Sequence, residues 1–368
     1  MRPEFSVCDP GPLLASGEWD DLLTRSRCNT VFMTASWLRA SREAEPLGDP
    51  VLASVASAGG RLVAGTIVVR RGALLELLGT GSSDYLDVLT DSSLDAGQTP
   101  ECVRTILGNA LEAVPGARGF RLRRLPDESG TVARLASFGR GWWLTRLSSL
   151  EAPTMDISAA QEALNKKSLK RHENALERAG RLTTVRLTRA EEVLPRLPAF
   201  FEQHIRRCAG TSHPSPFLAA GQQEFYRALV RNLAESGWLR YTELRLDGAM
   251  VAAHLGAHYG GRFSWYKPTF DPGLARLSPG EVLLKRLIEQ AVDEGAQEFD
   301  FTVGDEAFKK RFATRTRTVA DVHLTRSALS AAILRSRCAG RGLARVMLRR
   351  VGLWDTITRA VRARRGTV

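Results

Sequence analysis

The feature that most constrains this chain is a pattern of turns that occurs twice. In the second half, "WLRYTELRL" stops at Asp247-Gly248, "AMVAAHLGAHY" stops at Gly260-Gly261, and "RFSWYKPTF" follows. Asp-Gly and Gly-Gly pairs between strand-like runs mark tight hairpins, because primed turns require positive φ. The first half repeats the order: "VLASVASA" to Gly59-Gly60, "RLVAGTIVV" to Arg71-Gly72, then "ALLELLG". The two meanders lie roughly 190 positions apart, and each leads into a helix and one further strand. "ECVRTILGNALEAV" and "GFRLRRL" follow the first, "EVLLKRLIEQAVDEG" and "QEFDFTV" the second. Two β-β-β-α-β units predict an α+β (α/β) fold of two tandem units, each a mixed, largely antiparallel sheet flanked by helices. Side chains are not shared between the copies. Order and turn chemistry alone carry the repeat.

The second unit's helix has clear ends. Ser278 is placed to cap it, Pro279 to occupy its first position and Glu281 to complete a capping box, with Gly295 closing it. Leu283, Leu284, Leu287, Ile288, Ala291 and Val292 share one face. A basic helix is expected over "QEALNKKSLKRHENALERAG", with Leu164, Leu169 and Leu176 inward and Lys166, Lys167, Lys170 and Arg171 outward. Further helices are expected at "EVLPRLPAFFEQHIRRCAG" and "AGQQEFYRALVRNLAESG". The chain divides into a first unit over 1–150, a second over 151–326 and a basic amphipathic tail over 327–368, striped by Leu343, Val346, Met347, Val351, Trp354, Ile357 and Val361.

Charge is uneven. The chain carries +12 over 368 residues. Beyond Arg326 stand ten arginines and one aspartate, so the tail holds most of the excess. Such a tail suits a phosphate backbone or an anionic membrane surface and says little about the body. The five cysteines are scattered, without a C-x-x-C, and suggest neither a zinc site nor a disulfide scaffold. No signal-like leader or spanning apolar run is visible, so the expectation is a cytoplasmic protein, with a peripheral membrane contact through the tail as an option.

The stretches "RYTELRLDGAMVAAHLG", "FDPGLARLSPGEVLL" and "EFDFTVGDEAFKKRF", behind a K-x-L-x-R helix, resemble the CelD-like branch of the GNAT N-acyltransferases, related to the Fem peptidyltransferases. The matching signature is Ser278-Pro279-Gly280, then Asp300, Phe301, Gly304, Glu306, Phe308 and Lys309. The likeness is best from Lys166 to Leu324 and weaker from Trp19 to Leu89. It implies tandem GNAT-like units and attack of an amine on an activated acyl group. That chemistry needs a stabiliser for the oxyanion and a route for the amine proton.

Lys309 matches the lysine that such enzymes keep beside the transferred acyl group; read alone, it is one of a solvated Lys-Lys-Arg run. Asp305 and Glu306 are candidate proton acceptors, or members of a charged turn. His254 is a third candidate base, or a satisfied core histidine. It cannot share a metal with His258, because four residues along a strand span roughly 13 Å. No metal is expected. Asp300, opposite Phe299 and Phe301 on its strand, reads as a structural hydrogen-bonding residue. Arg276, Ser278, Gly280, Gly304 and Tyr266 are candidates for the donor side. Trp37, Asp84 and Tyr85 lie where the resemblance places the acceptor.

The donor stays open. "ARLSPGEVL" has one glycine where a CoA loop has more, and Glu281 opposes a bound phosphate. Acyl-CoA is the first expectation and aminoacyl-tRNA the alternative, each as a co-substrate rather than a tightly bound cofactor. The acceptor would be a small-molecule, sugar, peptide, cell-envelope or secondary-metabolite amine. A third reading keeps the fold without catalysis, as a tRNA- or membrane-binding module.

Overall fold

The computed structural model describes residues 2–46, 49–209, 211 and 214–350. The first half runs β1 (Glu4–Cys8), α1 (Pro10–Ser16), α2 (Glu18–Arg25), α3 (Ala35–Glu43), β2 (Val51–Ala58), β3 (Arg61–Arg71), β4 (Leu74–Leu77), β5 (Leu89–Thr90), α4 (Gln98–Ala113), β6 (Gly119–Pro126), α5 (Thr131–Ala136) and β7 (Trp143–Asp156). The second runs α6 (Ala160–Leu164), α7 (Lys167–Ala179), β8 (Leu182–Leu187), α8 (Ala190–Val193), α9 (Leu197–Cys208), α10 (Gln222–Glu235), β9 (Leu239–Leu246), β10 (Ala249–Tyr259), β11 (Arg262–Phe270), α11 (Pro279–Asp293), β12 (Glu298–Asp300), α12 (Ala307–Phe312), β13 (Arg315–Thr325) and α13 (Ala328–Arg350).

Both meanders form where the turns place them. Gly59, Gly60, Gly72, Gly248, Gly260 and Gly261 all have positive φ. β2-β3-β4 and β9-β10-β11 are antiparallel, and each leads through a helix to a parallel neighbour, β6 beside β4 and β12 beside β11. The expectation of two separate sheets is corrected. All strands belong to one sheet, in the order β1-β2-β3-β4-β6-β13-β7-β12-β11-β10-β9-β8, with β5 beside β3. The reason is a reciprocal exchange. β7 leaves the first half to pair with β12, and β13 leaves the second to pair with β6, while the two exchanged strands pair with each other from Arg315↔Thr154 to Thr325↔Trp143.

The cores follow. One apolar cluster fills the first half around Trp19, Leu22, Ile106 and Phe120, and another packs α11 against Phe263, Phe299 and Phe301. A third joins the halves through Phe32, Trp37, Tyr85, Phe225, Tyr226, Tyr266 and Val319. Its aromatic pairs meet edge to face, at 4.6 Å for Phe32–Trp37 and 5.0 Å for Trp37–Tyr266. Each such pair adds about 1 kcal/mol beyond area burial.

Several local expectations are revised. The basic helix is broken at Asn165-Lys166 into α6 and α7, and only Leu169, Glu173 and Leu176 of α7 are buried. The α11 stripe holds except Val292, which is 44% exposed. The charged run after β12 is a short helix, not a turn. All five cysteines are free thiols. The tail begins as the helix α13; residues 351–368, with Val351, Trp354, Ile357 and Val361, and the side chains of Leu343, Val346 and Met347 lie outside what is described.

Candidate active site

The site forms where β11 and β12 part. They pair in parallel over only three positions, Arg262↔Glu298, Phe263↔Phe299 and Ser264↔Asp300. β11 continues to Phe270, whereas the chain after Asp300 turns away at Thr302, whose φ is 57°. Thr302 is held by its amide on Asp300 Oδ1 at 2.7 Å and its hydroxyl on the Trp265 carbonyl at 3.2 Å. On the other side, the Phe301 and Gly304 amides bond to Pro153 and Glu151 of β7. A wedge opens between Tyr266–Phe270 and the segment from Val303 to Lys309.

Helical geometry separates the three cations of "FKKRF". Lys309 and Phe312, three apart, share the inward face of α12. Lys309 is 4% exposed. Its Nζ donates to the Val303 carbonyl at 3.0 Å and pairs with Glu306 Oε2 at 3.0 Å. Lys310 turns out to Glu151, and Arg311 pairs with Glu281 at 2.9 Å. Gly304 closes over this group with φ 149°; a Cβ there would stand 2.6 Å from Lys309 Nζ and 2.1 Å from Glu306 Oε2. Glu306 is half exposed and Asp305 exposed, so both carboxylates border the wedge from the solvent side.

Tyr85 and Asp300, 215 residues apart, meet across the halves: the tyrosine hydroxyl donates to Asp300 Oδ1 at 2.8 Å. Burial pushes the Asp300 carboxyl up to about 6, against the opposing pull of the Thr302 amide and the Tyr85 hydroxyl. Burial, then the Asp300 charge, pushes the Tyr85 phenol well up. Beneath them Glu298 is gripped by Arg317 through two 2.6 Å bonds and also by Arg315 and Arg262. Burial works against the Glu298 carboxylate, but Arg317 and its neighbours outweigh it and hold it low.

The other candidate residues divide. Tyr266 is 5% exposed and belongs to the aromatic core between the halves, its ring under Lys267 Nζ at 4.2 Å and its hydroxyl 3.0 Å from that of Tyr226. That hydroxyl also donates to the carbonyl of Ser82, which brings the Gly79–Asp84 loop of the first half to β11. Asp84 is half-buried there. Trp37 is 1% exposed and belongs to the aromatic core between the halves. His254 is fully buried, with Nε2 at 3.1 Å from both the Ser264 carbonyl and the Tyr266 amide, and its ring stacks on Trp265. Burial drives its pKa down to about 3, so it stays neutral and ties β10 to β11.

The capping box at α11 does not form. Ser278 has φ 54° and ψ 48° and makes no side-chain cap bond. Glu281 instead reaches His172 at 3.1 Å and Arg311 at 2.9 Å, which joins α7, α11 and α12. Its charge is therefore met. Arg276 is exposed and has no ion-pair partner among the described residues, and Lys166 Nζ lies 5.8 Å over the Phe312 ring. Gly280 packs under the Phe270 ring, where a Cβ would approach to 3.2 Å. In the first turn Pro279 has no N–H and the Glu281 amide donates to the Ser278 carbonyl at 3.0 Å, which leaves the Gly280 amide and the surrounding cations to favour an anion. The Tyr85–Asp300 and Arg311–Glu281 contacts carry no spacing signal in the sequence. Among the described residues no group of three or more His, Cys, Asp or Glu side chains could hold a metal ion, and no helix is long and apolar enough to cross a membrane.

A meander, a crossover helix and a parallel pair that splays beside that helix's N-terminus form a recognisable arrangement. Residues 164–310 match the profile of the acetyltransferase (GNAT) domain family. That stretch, under half of the chain, is similar to a GNAT domain. Solved structures resemble the chain over most of its length at low identity. The crystal structure of FemX is 11% identical with a TM-score of 0.62, over 87% of this chain and 96% of that one. The C-terminal domain of a putative lysylphosphatidylglycerol synthetase from Agrobacterium fabrum is 14% identical with a TM-score of 0.56, over 89% and 96%. L-PGS from Bacillus licheniformis is 14% identical with a TM-score of 0.55, over 89% and 96%. No protein of curated function matches the sequence.

Proposed function

We propose that the GNAT wedge between β11 and α12 is the acyl-transfer site of an N-acyltransferase. The observation that carries this is the burial of Lys309, an ammonium held at Val303 O and Glu306 where the strands part. The amine nitrogen of an acceptor attacks the acyl carbonyl, whose oxygen gains the electron pair of the C=O π bond. Lys309 stabilises that oxyanion. Collapse expels the donor's thiolate or ribose oxygen, and the amine proton leaves through Glu306 or Asp305 on the open side. The unpaired edge of β11 beyond Trp265 offers backbone groups to an amide-bearing donor arm.

The donor's phosphates would lie at the start of α11, beside Arg276, Arg311 and Lys166. Acyl-CoA is the donor this arrangement supports best, because the helix start is uncapped and Glu281 is already paired. Aminoacyl-tRNA remains the second reading, supported by the exposed Lys167, Lys170 and Arg171 along α7 and by the arginine-rich tail. The acceptor would be an amine on a sugar, peptide or small molecule, entering from the Asp84–Tyr85 side.

Titration of the protein with acetyl-CoA and with charged tRNA at several salt concentrations separates these readings. Tight, salt-insensitive CoA binding supports the first and sinks the second. A steep salt dependence with tRNA alone reverses them. Binding of neither, with no transfer, favours a non-catalytic module.

A further inference from the structure

The first half contains a cavity that the acyl-transfer reading does not use. It has a volume of about 270 Å³ and is lined by Arg27, Thr90, Asp91, Ser92, Thr99 and Arg134, among others. It lies by the start of α4, and Arg27 also borders a smaller pocket with Tyr85 and with Arg262 of β11. Two of its cations lack a carboxylate partner. Arg27 makes no ion pair or hydrogen bond among the described residues, and Arg134 bonds only to the Thr131 hydroxyl, at 3.3 Å. Burial lowers the Arg134 pKa, Asp87 pulls it back up, and the nearby Arg27 lowers it by a smaller amount.

The acids nearby are already engaged. Asp91 is bound by Arg25 at 2.6 Å and by the Ser93 amide at 2.9 Å. Asp87, behind Arg134, accepts from the Val88 amide at 2.9 Å and from Ser129 and Thr131. Thr90 is only 7% exposed, lines the cavity, and its hydroxyl has no partner among the described residues. The hydroxyl oxygen opens to the cavity, where it can donate to a ligand atom. The α4 N–H groups are not the attraction, because Asp95 Oδ1 already takes those of Gly97 and Gln98.

We propose that this cavity binds a small phosphate-bearing anion, with Arg27 and Arg134 as a clamp and the Thr90 hydroxyl as a third donor. Arginine pairs suit phosphate because each guanidinium presents paired donors in one plane. The volume falls just below the range of small-ligand pockets and suits a phosphate or diphosphate rather than a whole nucleotide.

Calorimetric titration of the full chain with inorganic phosphate and with pyrophosphate tests it, in parallel with Arg27→Gln, Arg134→Gln and Arg140→Gln, the last an exposed arginine outside both sites. The expected result is saturable binding that weakens about tenfold or more in Arg27→Gln, the loss of one charge-assisted contact. Arg134→Gln should weaken it likewise, and Arg140→Gln should leave it unchanged. Stronger pyrophosphate binding identifies a diphosphate ligand, and equal binding a phosphate monoester. Should Arg134→Gln fail to fold, the exposed Arg27 decides alone. Unchanged affinity in Arg27→Gln, no saturable binding to the wild-type chain, or an equal loss in Arg140→Gln overturns the proposal.

Discussion

The two halves build the same corner differently. In the first, α4 begins with its amides occupied: Asp95 Oδ1 accepts from Gly97 at 2.8 Å and Gln98 at 2.6 Å. The parallel strands beside it meet at Leu75 and Phe120, both fully buried. In the second, α11 begins at Ser278 with no side-chain cap, and β12 runs into Asp300, Thr302 and the buried Lys309. One corner is sealed with hydrocarbon and a carboxylate cap. The other leaves an open helix start, a parted strand pair and a buried cation. A repeated order of elements does not give repeated corners; hydrocarbon lines one of them and polar groups the other.

The largest effect expected from breaking this contrast is at Lys309. Lys309→Ala should reduce transfer about 100- to 1,000-fold, the usual loss on removing an oxyanion donor. Its neighbour Lys310→Ala, which loses only a surface pair with Glu151, should change the rate less than about twofold. Steady-state rates with circular-dichroism melts decide it. Normal turnover in Lys309→Ala removes the oxyanion role.

The next effect concerns the seam. The Asp300 carboxyl, raised to about 6, binds its proton more tightly in the folded chain than in the unfolded one. The stability from this group is present below the unfolded value near 4 and is lost as pH rises through about 6. The amount is on the order of 2 to 3 kcal/mol. Asp87, also raised to about 6, adds a fall of the same sign. Urea melts at pH 4, 5 and 6 should therefore show stability declining across that window from these two groups. Asp300→Asn keeps an acceptor for Tyr85 and Thr302 and should remove about half of the decline. An unaltered slope means the carboxyl does not titrate there.

A smaller effect tests the sealed corner. Asp95→Ala should cost about 1 kcal/mol of stability, a lost helix cap, with transfer unchanged once the protein is folded. A large drop in catalysis would mean that the first corner takes part in the chemistry. Smallest is Glu281→Gln, which releases Arg311 and His172 toward the open α11 start. Phosphate-bearing donors should bind roughly two- to fivefold more tightly, the size of one charge at a helix terminus. Weaker binding would place the donor elsewhere.

Much of the framework was legible in the sequence. The glycine turns at 59–60, 72, 248 and 260–261 fixed both meanders, because positive φ at a tight turn is a local requirement. The helices at α4, α10 and α11 follow from apolar spacing. The strands β7 and β13 were not legible. "TRTRTVADVHLT" alternates arginine and threonine in its first half, where Arg317 pairs with Glu298 and Glu128 across the sheet, and only its second half carries the buried Ala320, Val322 and Leu324. The capping box was misread for a related reason. Ser278 and Glu281 have the right spacing, but His172 and Arg311 lie near enough to draw the glutamate away.

By itself, then, the sequence determined the elements whose cause is local: the turns, the amphipathic helices, and the order in which they repeat. It also determined the motif that singles out Lys309. Only the tertiary structure decided that the halves exchange strands into one sheet, that Tyr85 meets Asp300, and that one cation of three is buried. Those outcomes depend on which surfaces meet across the chain. A cation's exposure is set by the residues packed over it, and here these are Val303 and Gly304, which precede the six-residue helix that carries Lys309.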